Sequence, residues 1–134
     1  MKSILLVEDS RFLRVTTEKE LVRAGYNVMC ANDGEQALRM AYENTPDLVL
    51  LDMLLPKIGG AEVLRALRNN PVTALVPVIV LSSLPQKNEA KLIKEGATAY
   101  FEKSKMELDQ NVGSLLQIVK RMLHRVLEEQ VSSS

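Results

Sequence analysis

The sequence predicts an α/β fold: a five-stranded, doubly wound parallel sheet in the order 2-1-3-4-5, with helices on both faces. Three observations carry that expectation. Strand-like apolar runs alternate with helical patterns from end to end, the runs are continuously apolar, and most of them terminate in a polar or charged residue. Continuous apolar strands belong to parallel sheets covered on both sides, and βα crossovers are almost always right-handed, which leaves few topologies.

Ile4-Leu5-Leu6-Val7 is the first strand and runs into Glu8-Asp9. Leu13, Thr17, Leu21 and Ala24 then recur at helical spacing on one face, and Gly25 stops that helix. Asn27 to Ala31 form the second strand, and the turn Asn32-Asp33-Gly34 launches a helix carrying Ala37, Leu38 and Ala41. Pro46-Asp47 opens the third strand, Leu48-Val49-Leu50-Leu51, which ends at Asp52. The loop Pro56-Lys57-Ile58-Gly59-Gly60 leads to a helix that buries Val63, Leu64 and Leu67. Pro77 begins the fourth strand, Val78-Ile79-Val80-Leu81, ending at Ser82. Pro85 starts a helix around Ala90 and Ile93 that Gly96 ends, the fifth strand spans about Thr98 to Phe101, and Glu102-Lys103 follow it.

With 134 residues, 46% of them hydrophobic and 25% charged, the chain has the composition of one soluble globular domain. Seventeen basic residues balance seventeen acidic ones, so no global field favours nucleic acid or an anionic membrane. No apolar run reaches the roughly 20 residues of a membrane span. The strand pattern begins at once after Met1-Lys2-Ser3, without the pattern of a signal peptide, and Cys30 is the single cysteine; both suit a reducing cytoplasm. On its apolar strand Cys30 reads as a small core residue.

In an open parallel sheet the site lies beyond the carboxyl ends of the strands, where strand order reverses. Here that point falls between strands one and three, whose ends carry Glu8, Asp9 and Asp52, with Ser82 and Lys103 alongside. Three crowded acids repel one another unless protons or a cation join them, and Mg²⁺ suits carboxylates with a backbone oxygen and water. The loop Glu8-Asp9-Ser10-Arg11 has no glycine, so it is not an amide-lined phosphate cradle. A phosphoryl group on Asp52 would bring the cluster to about −4, which Lys103 and Mg²⁺ reduce to about −1. The acids thus read as a metal cradle for phosphoryl transfer, with Asp52 as covalent acceptor.

Several stretches together carry a resemblance: Ile4 to Asp9, Asn32 to Leu38, Pro46 to Pro56, Pro77 to Ser83, and Gly96 to Lys103. Over about residues 3 to 122 the chain resembles the receiver domain of bacterial two-component response regulators, whose fold is flavodoxin-like. The resemblance implies that Asp52 takes phosphate from a histidine kinase or phosphotransfer protein. It further implies that Glu8, Asp9, Asp52 and the backbone carbonyl of Leu54 bind Mg²⁺, and that Lys103 pairs with the phosphoryl oxygens. The Ser82 hydroxyl would move onto the phosphoryl group and Tyr100 would turn inward. A downstream protein would then read the face formed by helix four, strand five and helix five. The domain is expected to signal by contact, without a dedicated catalytic domain. Glu8 stands where aspartate is commoner, Ser82 where threonine is commoner, and Ser104 where proline usually follows the lysine. The Lys103-Ser104 bond is therefore expected either trans with an altered loop or as a strained cis bond.

Two alternatives stand beside that reading. One is a pseudo-receiver, a docking module not regulated by phosphorylation. The other is a Mg²⁺-dependent phosphatase, which would need a second acid two residues after Asp52, where Leu54 stands. His124, the single histidine, reads as a surface residue, and Lys120, Arg121 and Arg125 as partners of a helix C-terminus and of Glu128 and Glu129.

Leu108, Val112, Leu115, Val119, Met122 and Val126 step along a final helix, with Leu116, Leu123 and Leu127 widening the stripe. From about Met106 to Gln130 it would extend ~37 Å, beyond the ~27 Å diameter of a compact chain of this size. The expected organisation is a domain over 1–121 and, over 122–134, a helical extension and short polar tail. The extension would bury its apolar side against a second copy of the chain, a partner or an output domain, or else fold back.

Overall fold

A computed structural model describes residues 2–83, 89–103 and 113–132. The elements run β1 Ser3–Val7, α1 Arg11–Arg23, β2 Asn27–Ala31, α2 Gly34–Glu43, β3 Leu48–Asp52, α3 Gly60–Arg68, β4 Val78–Ser82, α4 Glu89–Lys94, β5 Ala99–Glu102 and α5 Gly113–Ser132. The strands form one parallel sheet in the order β2-β1-β3-β4-β5, as the apolar runs predicted.

Side chains alternate across a strand, so each apolar run serves two layers. Leu5, Val7, Val49, Leu51, Val78 and Val80 face the layer of α2, α3 and α4, where Ala37, Ala41, Val63, Leu64, Leu67 and Leu92 meet them. Ile4, Leu6, Leu48, Leu50, Ile79, Leu81 and Phe101 face α1 and α5. Every residue of β3 and β4 is buried, including the two polar ones that end them, Asp52 and Ser82.

Helix ends follow the local chemistry. Ser10 caps α1 by accepting the Leu13 N–H, and Asp33 caps α2 by accepting the Gln36 N–H at 2.8 Å. Gly25 and Gly96, at φ +100° and +119°, close α1 and α4 with paired backbone bonds: Tyr26 N to Leu21 O with Gly25 N to Val22 O, and Ala97 N to Leu92 O with Gly96 N to Ile93 O.

Three details depart from the sequence reading. Ala24 is exposed as the C-cap residue of α1 and leaves the inward face to Leu13, Thr17 and Leu21. In α4 the inward residue is Leu92; Ala90 and Ile93 face solvent. Cys30 is half-buried on the edge strand β2, and its thiol donates to Glu18 Oε2 at 2.6 Å. Burial first, and then that carboxylate, push the thiol up to about 12, so it stays protonated. The expected helix starts at Pro85 and about Met106 lie outside the described residues, as does the Lys103-Ser104 bond.

In α5, Leu115, Val119, Met122 and Leu123 bury against the sheet, with Leu116 and Ile118 packed beside them. Among the residues whose side chains are described, core contact includes Met122 and Leu123, and the helix itself runs to Ser132. His124 is exposed.

At the amino end of the sheet Arg68 ties three segments together. Its Nε donates to Gly96 O at 2.9 Å, its Nη1 to Val76 O at 2.7 Å and Ala74 O at 3.1 Å, and its Nη2 to Thr98 Oγ1 at 3.4 Å. Beside it, buried Thr73 donates its hydroxyl to Leu67 O at 2.7 Å.

Candidate functional site

The opposite, carboxyl end holds the site. β1 and β3 are neighbours in register, Val7 beside Leu51, so the residues that follow each strand emerge side by side. Carboxylate oxygens of Glu8, Asp9 and Asp52 lie within 4.8 Å of one another. Glu8 and Asp52 are buried, at 2% and 1% exposure, while Asp9 is exposed at the mouth.

Lys103, which follows β5, closes the group from the other side. Its Nζ donates to Glu8 Oε1 at 2.9 Å and to Asp52 Oδ2 at 3.1 Å. The other Asp52 oxygen accepts the Leu54 N–H at 3.1 Å, so the loop after β3 fixes the carboxylate from below. Ser82 ends β4 directly after Leu81, the register partner of Asp52. Tyr100, half-buried on β5, packs against the core layer of α2, α3 and α4.

The electrostatics show what the cluster lacks. Lys103 brings one positive charge to three carboxylates. Burial pushes the Glu8 carboxyl up from 4.5 to about 7; the hydrogen bond from Lys103 pulls it back, and neighbouring Asp52 adds to the rise. Burial alone would lower the Lys103 ammonium, but the bond to Glu8 and the charge of Asp52 outweigh it and hold it above its ordinary value. Glu8 Oε2 is buried and, among the described residues, has no hydrogen-bond partner. A buried oxygen with lone pairs unused costs free energy that a cation would recover. The all-oxygen donor set, with one open carboxylate at the mouth, fits a hard divalent ion.

Asp52, Glu8, Asp9 and Lys103 are thus brought together as the strand ends implied. Leu54 contributes its amide to Asp52, and its side chain is 63% exposed. One residue escaped the sequence reading. Arg14 on α1 reaches back with Nη1 to Glu8 O at 3.0 Å and Asp9 O at 3.5 Å, gripping the main chain that bears both acids. Nothing in its spacing separates it from an ordinary surface arginine.

Comparison with known proteins agrees with this geometry. Residues 4–112 match the response regulator receiver domain family. The chain is 40% identical over 108 residues to a gliding motility regulatory protein of Myxococcus xanthus, covering 79% of this chain and 14% of that protein. It is 34% identical over 104 residues to the polar-differentiation response regulator DivK of Brucella anthropi, covering 76% of this chain and 84% of that one. Among solved structures, the receiver domain of a Pseudomonas aeruginosa sensor histidine kinase, which has a magnesium ion coordinated in its active site cleft, superposes with a TM-score of 0.80 at 28% identity. That alignment covers 92% of this chain and 98% of that domain.

Proposed function

The chain belongs to the response regulator receiver domain family, and from that premise we propose that Asp52 accepts a phosphoryl group from a histidine kinase or phosphotransfer protein. The observation that carries the reading is the convergence of Glu8, Asp9 and Asp52 within 4.8 Å, with Lys103 bonded to two of them. That set argues for a phosphorylatable receiver over a pseudo-receiver.

In the transfer, an Asp52 carboxylate oxygen bonds to phosphorus as the bond from phosphorus to the donor imidazole nitrogen breaks. The electron pair stays on that nitrogen, and Asp52 becomes an acyl phosphate. Lys103 holds the acceptor oxygen and neutralises charge that builds on the phosphoryl group. The Leu54 N–H fixes the second carboxylate oxygen, which limits rotation of Asp52 before attack. Glu8, Asp9 and Asp52, with the Leu54 carbonyl, would hold Mg²⁺, which supplies charge neutralisation when bound. Ser82 and Tyr100 are the proposed switch, read by a partner on the face of α4, β5 and α5. The far part of α5 is the proposed self-association surface.

Leu54 supports the reading of signalling by contact rather than turnover. It stands two residues after the acceptor and offers no acid to protonate a leaving group. Cytoplasmic placement is part of the same proposal; among the described residues no helix is long and apolar enough to cross a membrane.

The test is intact-mass measurement after incubation with Mg²⁺ and acetyl phosphate. A slowly decaying phosphoryl adduct, lost in Asp52→Asn, is the expected result. No adduct on the wild type would leave a docking module, and rapid hydrolysis of unrelated phosphate esters would reveal a phosphatase.

A further inference from the structure

The motif Asn32-Asp33-Gly34-Glu35 takes no part in the chemistry above, yet the structure sets it directly against the loop that follows Asp52. Gly34 is buried at the first turn of α2. A β-carbon there would fall 2.2 Å from the Ile58 carbonyl oxygen and 2.9 Å from both Ile58 Cβ and Val63 Cγ2. The closest obstacle is backbone, so any side chain at position 34 must displace the loop rather than nudge a flexible neighbour.

The adjoining residue of that loop is under strain. Lys57 adopts φ +69°, a left-handed conformation that side-chain-bearing residues disfavour. Its ammonium lies 3.7 Å from both Asp33 Oδ2 and Glu35 Oε2, on either side of Gly34. The Ile58 N–H donates to Pro56 O at 2.9 Å and closes a tight turn around the strained residue. At its base the loop is tied by the Gly60 N–H to Met53 O at 3.1 Å. Its tip is therefore held by α2, and its root carries the Leu54 amide that orients Asp52.

We propose that the N-terminus of α2, through the missing side chain of Gly34 and the ion pairs of Lys57, is a positioning element for the loop from Met53 to Gly60. It holds the loop in the strained shape in which Asp52 and the main chain at Leu54 are set for a divalent cation. This rests on the reading of Asp52 as phosphoacceptor. Strain of this kind persists only where surrounding contacts enforce it, and here the enforcing contacts come from α2.

The experiment compares wild type, Gly34→Ala, Lys57→Met and Gly25→Ala. Mg²⁺ affinity is measured by calorimetry, amide exchange over residues 53–60 by mass spectrometry, and stability by thermal unfolding. Gly34→Ala is expected to weaken Mg²⁺ binding about tenfold and to speed exchange in the loop. Lys57→Met changes an exposed side chain and leaves the fold intact, with a loss of about two- to threefold. Gly25→Ala, at φ +100° with nothing within 4 Å of the added carbon, loses stability but keeps wild-type Mg²⁺ affinity. Wild-type affinity and loop exchange in Gly34→Ala would overturn the proposal; if that variant does not fold, Lys57→Met decides alone by the same two readouts. A wild type that binds no Mg²⁺ and takes no phosphoryl group would instead overturn the reading of the site, and the proposal with it.

Discussion

Arg68 at the amino end of the sheet and Glu8 at the carboxyl end are both charged groups drawn out of water, and they are treated in opposite ways. Arg68 meets four oxygen acceptors, and among the described residues no carboxylate pairs with it. Its desolvation is offset by geometry alone, and the result is a clamp across α3, the segment before β4 and the segment before β5. Glu8 shares one lysine with Asp52, has one oxygen without a hydrogen-bond partner among the described residues, and has its carboxyl pushed up to about 7. The amino end has its donors met by oxygen acceptors, whereas the carboxyl end gathers three acids that could hold a cation. Completed polar networks stabilise, whereas perturbed and incompletely paired ones cluster at functional sites.

The contrast breaks most visibly at Arg68. Arg68→Ala removes a charged donor set from three backbone carbonyls and is expected to destabilise the domain by about 2–4 kcal/mol in chemical denaturation. Phosphoryl acceptance by the folded fraction should be unchanged, because the site lies at the other end of the strands. A variant as stable as wild type would show that the clamp is ornamental.

The next effect belongs to the carboxyl end. Mg²⁺ at about 100 times its dissociation constant should raise stability by about 2.7 kcal/mol, read as a shift of the unfolding midpoint. Asp52→Asn should lose most of that shift, and Arg68→Ala should keep it. Equal shifts in both variants would mean that the ion binds elsewhere.

The gentlest effect, taken per pH unit, is a slope. The Glu8 carboxyl titrates at about 7 when folded, against an ordinary value of 4.5, so between those limits the folded state holds more protons than the unfolded one. Metal-free stability should therefore fall as pH rises through that window, by at most about 1.4 kcal/mol per pH unit. Lys103 titrates far above the window and does not contribute there. Glu8→Gln, neutral throughout, should flatten the slope in unfolding experiments run at several pH values. A slope that survives the substitution would assign it to another group.

How much of this was legible depended on range. The strands could be read because continuous apolar runs carry their own signal, and the acids because each follows such a run. Parallel order then brought Glu8, Asp9 and Asp52 together without further information. What the sequence hid depends on partners far along the chain. Arg68 finds Gly96 28 residues on, and its side chain looks like any basic residue in the last turn of a helix. Gly34 reads as a turn residue, although what forbids a side chain there is the Ile58 carbonyl. Cys30 looked interior because its strand is apolar, but β2 is an edge strand and leaves its outer flank uncovered.

Lys103 has a consequence for the order in which the molecule is made. It neutralises Glu8 across 95 residues of chain and Asp52 across 51. On a ribosome, the segments that bear the acids emerge well before the cation that joins them. β1 and β3 can pair early, but pairing gathers like charges that the late-arriving Lys103, just after the fifth strand, helps to relieve. The final strand therefore does two jobs in one step: it closes the sheet and brings in the cation that helps to relieve the repulsion. Nascent chains truncated before β5 should be poor folders for that electrostatic reason.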